Sequence, residues 1–116
     1  MALTAKQKKL EGDDRMKVCV VPDCTNTNVE WNHAYQGVQR GEPYVLQPVC
    51  LKHHRGNFGT ITQEGDIYSK YNALLIGKKE IIKKMGKDWF EKELRAVTYR
   101  KNIFEETLRA KLNWYI

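Results

Sequence analysis

The sequence predicts an α+β fold in which a short ββα segment precedes a helical C-terminal half. Residues 29–35 and 44–49 contain many β-branched and aromatic residues, and a loop with two glycines and a proline lies between them. A helix is predicted to begin near Cys50, directly after the second strand. Beyond Gly65 the apolar residues recur at helical spacing. The 116 residues therefore fit a single domain.

Three regions are predicted along the chain. Residues 1–17 form a basic N-terminal arm, which we expect to be short and partly mobile, with one helical turn around residues 5–10. Residues 18–60 form the ββα core, and residues 66–116 form the helical C-terminal region.

Side-chain alternation orients the residues of the first predicted strand. Trp31 and His33 are expected on one face, and Glu30 and Asn32 on the other. Pro48 limits the second strand to an edge or terminal position, because proline cannot donate a hydrogen bond to a neighbouring strand.

The helical region shows one apolar stripe followed by a second amphipathic segment. The stripe consists of Tyr68, Tyr71, Leu74, Leu75, Ile81, Ile82 and Met85. Gly77 is expected to interrupt the first helix and Gly86 to end it. Asp88 is then predicted as the N-cap of a last helix that runs to about Leu112.

Composition excludes several classes of protein. A hydrophobic fraction of 41% argues against a disordered chain. No apolar run approaches the roughly 18 residues that a membrane span needs, and the polar N-terminus has no signal-peptide core. We therefore expect an intracellular, cytoplasmic protein. The net charge of +6 favours a polyanionic partner such as DNA or RNA.

Two half-pairs of residues have metal-ligand spacing, Cys19-x4-Cys24 and Cys50-x2-His53. Three cysteines cannot all pair, and a reducing cytosol disfavours disulfides, so metal ligation is favoured over buried free thiols. Three thiolates and one imidazole suit tetrahedral Zn²⁺ and leave no open position for a substrate. The sequence therefore predicts a structural zinc site that ties the turn at Pro22 to the start of the helix.

His54 follows His53 directly and leaves two alternatives open. On a helix these residues lie three and four positions after Cys50, so their rings point in different directions. The spacing of the half-pair favours His53 on zinc and His54 at a separate site. In the alternative, His54 replaces His53 on zinc or lies at the helix surface.

Together these residues resemble the HNH endonucleases, which are also called ββα-metal nucleases. In that family a strand carries a histidine, a loop and a second strand follow, and a helix supplies another histidine, often after a Cys-x2-Cys half-pair. Here the run Trp31-Asn32-His33 matches the first element. The run Cys50-Leu51-Lys52-His53-His54 matches the start of the helix. The resemblance covers residues 19 to about 59 and is to members of bacteriophage and prophage origin.

The resemblance implies metal-dependent hydrolysis of DNA phosphodiester bonds. His33 would be the general base, because a neutral imidazole can take a proton from water at pH 7. His54 would hold the catalytic cation, Mg²⁺ or Mn²⁺, with Asn32 and Asn57 as oxygen ligands. The two histidines are then expected to face one another across the ββα turn.

The middle asparagine of the family, which orients the base, has no direct match before the second strand. Gln36, Gln39 and Gln47 are candidates for its role, and the sequence does not choose among them. Glu30 and Glu42 are interpreted as surface carboxylates, either of which would assist a cation if the chain brought it close.

Basic residues near the predicted cleft are candidates for phosphate contacts, namely Arg40, Lys52 and Arg55. A second basic group surrounds the end of the first long helix and consists of Lys78, Lys79, Lys83, Lys84 and Lys87. Nothing in the sequence encodes readout of particular bases. The expected substrate is double-stranded DNA, cut with little sequence preference.

In a second hypothesis the chain has the framework of these nucleases but does not catalyse hydrolysis. The chain would then be a non-catalytic, zinc-stabilised module that binds DNA or a protein partner. In the family the residue before the base is commonly an acidic or histidine metal ligand, whereas Asn32 is a neutral donor that binds a hard cation less strongly. This difference and the missing middle asparagine favour the second hypothesis, whereas His33 and His54 favour the nuclease. A third hypothesis, compatible with either, is that residues 88–116 form a helix that dimerises through an exposed apolar face.

Overall fold

A computed structural model describes residues 3–22, 24–55 and 59–114, and the side chains of residues 55, 59–63 and 107–114 lie outside the description. The elements in chain order are α1 (Ala5–Lys8), β1 (Val29–His33), β2 (Leu46–Cys50), α2 (Leu51–Arg55), α3 (Gly59–Ile76), α4 (Lys78–Met85) and α5 (Lys87–Trp114). The α+β class and the helical C-terminal half are confirmed. Among the described helices, none is both long and apolar enough to cross a membrane.

The two strands form one antiparallel sheet. Glu30 pairs with Val49, and His33 pairs with Leu46. Because side chains alternate along a strand, Glu30 and His33 belong to opposite faces of the sheet. All five residues of β2 are buried. Pro48 lies in the middle of β2, an edge strand of the two-stranded sheet, and its carbonyl accepts a hydrogen bond from the N–H of Val20 at 2.7 Å.

The strand boundaries differ from those predicted. The first strand was expected to reach Tyr35 but ends at His33. The second begins at Leu46 because Pro43 opens a short 3₁₀ turn, Pro43–Val45, in front of it. Proline has a fixed φ that suits the first position of such a turn. Tyr44 and Val45 therefore belong to the turn and not to the strand.

The N-terminal arm packs on the loop between the strands. Thr4 and Gln7 form a capping box at the start of α1. The side chain of Gln7 is 1% exposed, and its Nε2 donates to the carbonyl oxygens of Arg40 (2.8 Å) and Glu42 (3.0 Å). Thr4 Oγ1 donates to the carbonyl of Gly41 at 2.6 Å. Specific contacts therefore hold a segment that the sequence predicted to be partly mobile.

Gly65 allows α3 to lie directly against α2. A Cβ at this position would be 2.5 Å from the carbonyl oxygen of His53 and 3.0 Å from Cγ1 of Val49, which leaves no room for a side chain. The helix was predicted to follow Gly65 but begins at Gly59. Glycine has a low helix propensity, but Gly65 lies inside α3 because a larger residue would not fit against α2.

The predicted break at Gly77 and helix end at Gly86 are confirmed. A Cβ on Gly77 would lie 2.4 Å from the ring of Tyr44, and Gly86 has φ of 92°. The predicted N-cap at Asp88 is wrong, because α5 already begins at Lys87. Asp88 lies in the first helical turn, where its negative charge interacts favourably with the helix dipole. The helix also runs two residues beyond its predicted end.

Two apolar clusters hold these elements together. The larger joins the ends of the strands to the last three helices and contains Ala34, Tyr35, Tyr44, Val45, Ala73, Leu74, Ile81, Phe90 and Val97. The smaller contains Cys19, Val21, Val49, Cys50 and Tyr68. Two hydroxyl groups bind α5: Tyr35 donates to Glu93 at 2.9 Å, and Tyr68 donates to Glu105 at 2.8 Å. The last helix is thus tied to both clusters.

Candidate metal centre and the adjacent histidines

Three thiols and one imidazole meet where the N-terminal turn, the end of β2 and the start of α2 come together. The ligand atoms of Cys19, Cys24, Cys50 and His53 all lie within 4.8 Å of one another. The Sγ atoms of Cys24 and Cys50 are 3.9 Å apart, and Nδ1 of His53 lies 3.2 Å from Sγ of Cys50. Tetrahedral zinc with these donors requires ligand separations of about 3.5–3.8 Å. The predicted ligand set therefore forms one cluster that can hold a metal ion, consistent with structural zinc.

Backbone hydrogen bonds shape the turn between the first two cysteines. The N–H of Cys24 donates to the carbonyl of Val21 at 3.1 Å, which closes a four-residue turn. The N–H of Cys50 donates to Sγ of Cys19 at 3.3 Å and so links the turn to the end of β2. Asp23, the second residue of the predicted turn, lies outside the described residues.

The thiols differ in how readily they ionise. Burial raises the pKa of Cys19 to about 11. Burial acts in the same direction on Cys50, but hydrogen bonds from the backbone of His53 and from the thiols of Cys19 and Cys24 outweigh it and lower the pKa of Cys50. Buried thiolates need a nearby cation to offset the loss of water, and Zn²⁺ supplies two positive charges at the sulfur atoms. The donor chemistry thus fits zinc.

Glu64 on α3 supports the imidazole of His53 from the side away from the thiols. Nε2 of His53 is 3.4 Å from Oε2 of Glu64, and the two side chains are 13% and 16% exposed. Metal-bound histidines usually donate their second ring N–H to a carboxylate, which fixes the tautomer and the ring orientation. Because Nδ1 faces the thiols, Glu64 holds His53 in the orientation that a ligand needs.

Replacing Glu64 by glutamine is expected to lower zinc affinity by about 10- to 100-fold, the usual effect of losing such a partner. The amide keeps the size of the side chain but removes the charge that stabilises the ring N–H. Competition with a zinc-binding dye measures the affinity. Glu91→Gln, an exposed carboxylate on α5, is the matched control. Equal affinities for the two variants would contradict the role given to Glu64.

His54 is directed toward β1 and is not part of the thiol cluster. Its Nδ1 lies 3.0 Å from Oε2 of Glu30, and both side chains are about 30% exposed, at 29% and 30%. Asn32 belongs to the same face of β1 as Glu30, two residues further along. One strand face therefore carries a carboxylate that contacts the imidazole of His54 and, two residues further along, an amide.

His33 has one ring nitrogen, Nδ1, that is buried. Nδ1 makes no hydrogen bond within the described part of the chain. Burial, and after it the positive charge of Arg40, lower the pKa of His33, so its ring is neutral at pH 7. Among the described contacts, none joins His33 to His54, and alternation places His33 on the face opposite Glu30. The expected meeting of the two histidines stays a prediction.

The three glutamines that are candidates for the role of the family's middle asparagine form hydrogen bonds with residues other than His33. Gln39 accepts a hydrogen bond from the hydroxyl of Tyr44, and Gln47 donates one to the carbonyl of Tyr44. Gln36 accepts one from a guanidinium four residues later. In the described hydrogen bonds none of the three glutamines contacts His33, so these contacts do not orient the ring of His33.

The candidate phosphate contacts are described only in part. Arg40 lies close enough to His33 for its charge to lower the pKa of that histidine. Lys52 is exposed on α2. Asn57 and the side chain of Arg55 lie outside the described residues, and the structure says nothing about either prediction.

Sequence reasoning missed the roles of three carboxylates. Glu64 was not singled out, and nothing in the sequence marks it, because its contact depends on how α3 crosses α2. Glu30 was interpreted as a surface residue, although it shares a strand face with a predicted cation ligand. Glu42 is 9% exposed and binds Lys6 at 3.3 Å and Lys84 at 3.4 Å, so the interpretation as a surface carboxylate is wrong.

Comparisons with known proteins give no match. No protein-family model, curated protein or solved structure is significantly similar to the chain. The fold and the site therefore define the chain only as an α+β protein with a candidate Cys3His metal centre.

Proposed function

We propose that this chain is an HNH-type endonuclease that hydrolyses phosphodiester bonds of double-stranded DNA with a divalent cation. The observation that carries the proposal is the separation of two adjacent histidines. His53 belongs to the thiol cluster, whereas His54 lies 3.0 Å from the carboxylate of Glu30. A purely structural zinc site needs only the first imidazole. The second lies beside a carboxylate, and together they supply two donor groups of the kind that bind a catalytic cation.

The donor atoms near His54 suit a catalytic cation. The imidazole nitrogen of His54, the carboxylate of Glu30 and the amide oxygen of Asn32 form a mixed set that Mn²⁺ binds well and Mg²⁺ binds through its oxygen atoms. When bound, such a cation stabilises negative charge on the scissile phosphate and on the leaving 3′ oxygen. Structural zinc leaves no ligand position free, so the two ions have separate tasks.

His33 is the proposed general base. Its neutral ring accepts a proton from water while the water oxygen bonds to phosphorus and the bond to the 3′ oxygen breaks. The lowered pKa of this ring supports the role, because an imidazole that is neutral at pH 7 can accept a proton. Arg40 would hold the phosphate nearby. His33 is the last residue of β1. A phosphate that lies across this end of the strand would therefore contact side chains from both faces.

Nicking of supercoiled plasmid by the zinc-loaded protein tests the proposal. We expect open-circular DNA to form with added Mg²⁺ or Mn²⁺ and not to form when the added cation is omitted. In the described hydrogen bonds Gln36, Gln39 and Gln47 do not contact His33, and this observation favours the second candidate, a non-catalytic zinc-stabilised module that binds DNA or a protein partner. Salt-dependent retention of the plasmid without nicking would identify a DNA-binding module.

A further inference from the structure

The turn between α3 and α4 leaves two large aliphatic side chains at the surface. Leu75 is 51% exposed and Ile76 is 56% exposed. Gly77, the next residue, lies so close to the ring of Tyr44 that a Cβ would be 2.4 Å away. This contact fixes the turn, so the two aliphatic side chains are held outward.

A groove lies beside these side chains, and we call it the lysine-rimmed groove. It has a volume of about 620 Å³ and is lined by Pro43, Tyr44, Leu75, Ile76, Lys78 and Lys79 among others. A second cavity of about 390 Å³ shares Pro43, Tyr44 and Ile76 with it and reaches β2 through Pro48. Cavities of this size accommodate a ligand of many atoms. Exposed single aliphatic residues are common, but two at the edge of a concave apolar surface indicate a binding site.

The two carboxylates that line the groove form ion pairs with lysines. Glu42 is bound by Lys6 at 3.3 Å and by Lys84 at 3.4 Å. Glu80 is bound by Lys83 at 3.7 Å. Each of these carboxylates therefore already has a lysine partner.

Two more lysines line the groove at the start of α4. The Nζ of Lys78 lies 5.9 Å from the ring centre of Phe90, and Lys79 is exposed. Neither lysine forms an ion pair with a carboxylate in the part of the chain that the structure describes. The groove therefore combines an apolar floor with a rim of uncompensated positive charge.

We infer that the lysine-rimmed groove binds a short acidic peptide segment of a partner protein. An aliphatic or aromatic side chain of the peptide packs against Ile76 and Tyr44, and its carboxylates pair with Lys78 and Lys79. DNA would satisfy the lysines, but a phosphate backbone offers no aliphatic side chain to cover the floor. A peptide with both kinds of residue complements both parts of the surface. The inference does not depend on hydrolytic activity.

An array of short peptides tests this inference with the intact chain at physiological salt. One set contains aspartate or glutamate together with leucine, isoleucine or phenylalanine. A second set has serine in place of the apolar residues, and a third has serine in place of the acidic residues. The variants are Ile76→Ser, which removes apolar floor, and Lys79→Glu, which reverses rim charge. Lys92→Glu, another exposed lysine, is the control, and thermal unfolding verifies that all four proteins are folded.

The first peptide set should be retained more strongly than the other two by the unaltered chain. Ile76→Ser and Lys79→Glu should each weaken the retention by about tenfold, the usual effect of losing an important interface residue, while Lys92→Glu should not. Equal retention of all sets, no retention, or full retention by both variants would overturn the inference. A blank array, with binding of a short DNA duplex lost in Lys79→Glu, would show instead that the surface contacts phosphate.

Discussion

Replacing Cys50 by serine is expected to lower the free energy of unfolding by about 5 kcal/mol or more, because it removes a zinc ligand that is 1% exposed. Structural zinc contributes about 10–16 kcal/mol in zinc-finger peptides at pH 7, whereas a whole domain is stable by about 5–15 kcal/mol. Chemical denaturation of the zinc-loaded protein, with zinc content measured by mass spectrometry, gives both quantities.

Thr25→Ala is the control for this experiment, because Thr25 is exposed and next to Cys24 without being a ligand. The control should keep one zinc ion per chain and almost all its stability. Removal of zinc from the unaltered protein by a chelator should reproduce the effect of Cys50→Ser. If Cys50→Ser bound zinc and unfolded like the control, the cluster would not stabilise the fold through bound zinc as we describe.

Replacing His33 by alanine is expected to reduce plasmid nicking by about 10²- to 10⁴-fold, the usual contribution of a general base. The ring is neutral at pH 7 because burial and the charge of Arg40 lower its pKa, so it can accept a proton from water. Initial rates of nicking with saturating Mn²⁺ measure the effect. Zinc content and unfolding should change little, since His33 lies outside the thiol cluster.

Lys92→Ala, on an exposed face of α5, is the control for preparation and DNA handling. Nuclease contamination would give the same rate in His33→Ala and in the control. Nicking by His33→Ala at the full rate, in protein of verified purity, would exclude His33 as the base. It would leave the separate assignment of His53 to zinc unaffected.

The part of the site that the sequence predicts is the part that depends on local spacing. Each half-pair spans a single turn, so its two ligands lie close together, and the hydrogen bond from Cys50 to Cys19 links the two half-pairs. The position of His54 follows from the same helix, since adjacent residues on a helix point in different directions. Local geometry is therefore sufficient within each half-pair and for the direction of His54, whereas tertiary contacts bring the two half-pairs together.

The parts that the sequence did not predict depend on tertiary packing. Glu64 reaches His53 only because Gly65 lets α3 approach α2, and a glycine inside a helix was read as its boundary. Gln7 docks the N-terminal arm through carbonyl groups that no side-chain pattern reveals. The N-cap at Asp88 was misplaced because a charged residue in the first turn resembles a cap.

Anomalous difference maps from crystals of the zinc-containing protein soaked in Mn²⁺ would test the division between the two histidines most directly. Our account predicts a zinc peak bounded by the three cysteines and Nδ1 of His53, and a separate manganese peak within ligand distance of His54 and Glu30. A single peak shared by both imidazoles, or no manganese beside His54, would contradict it.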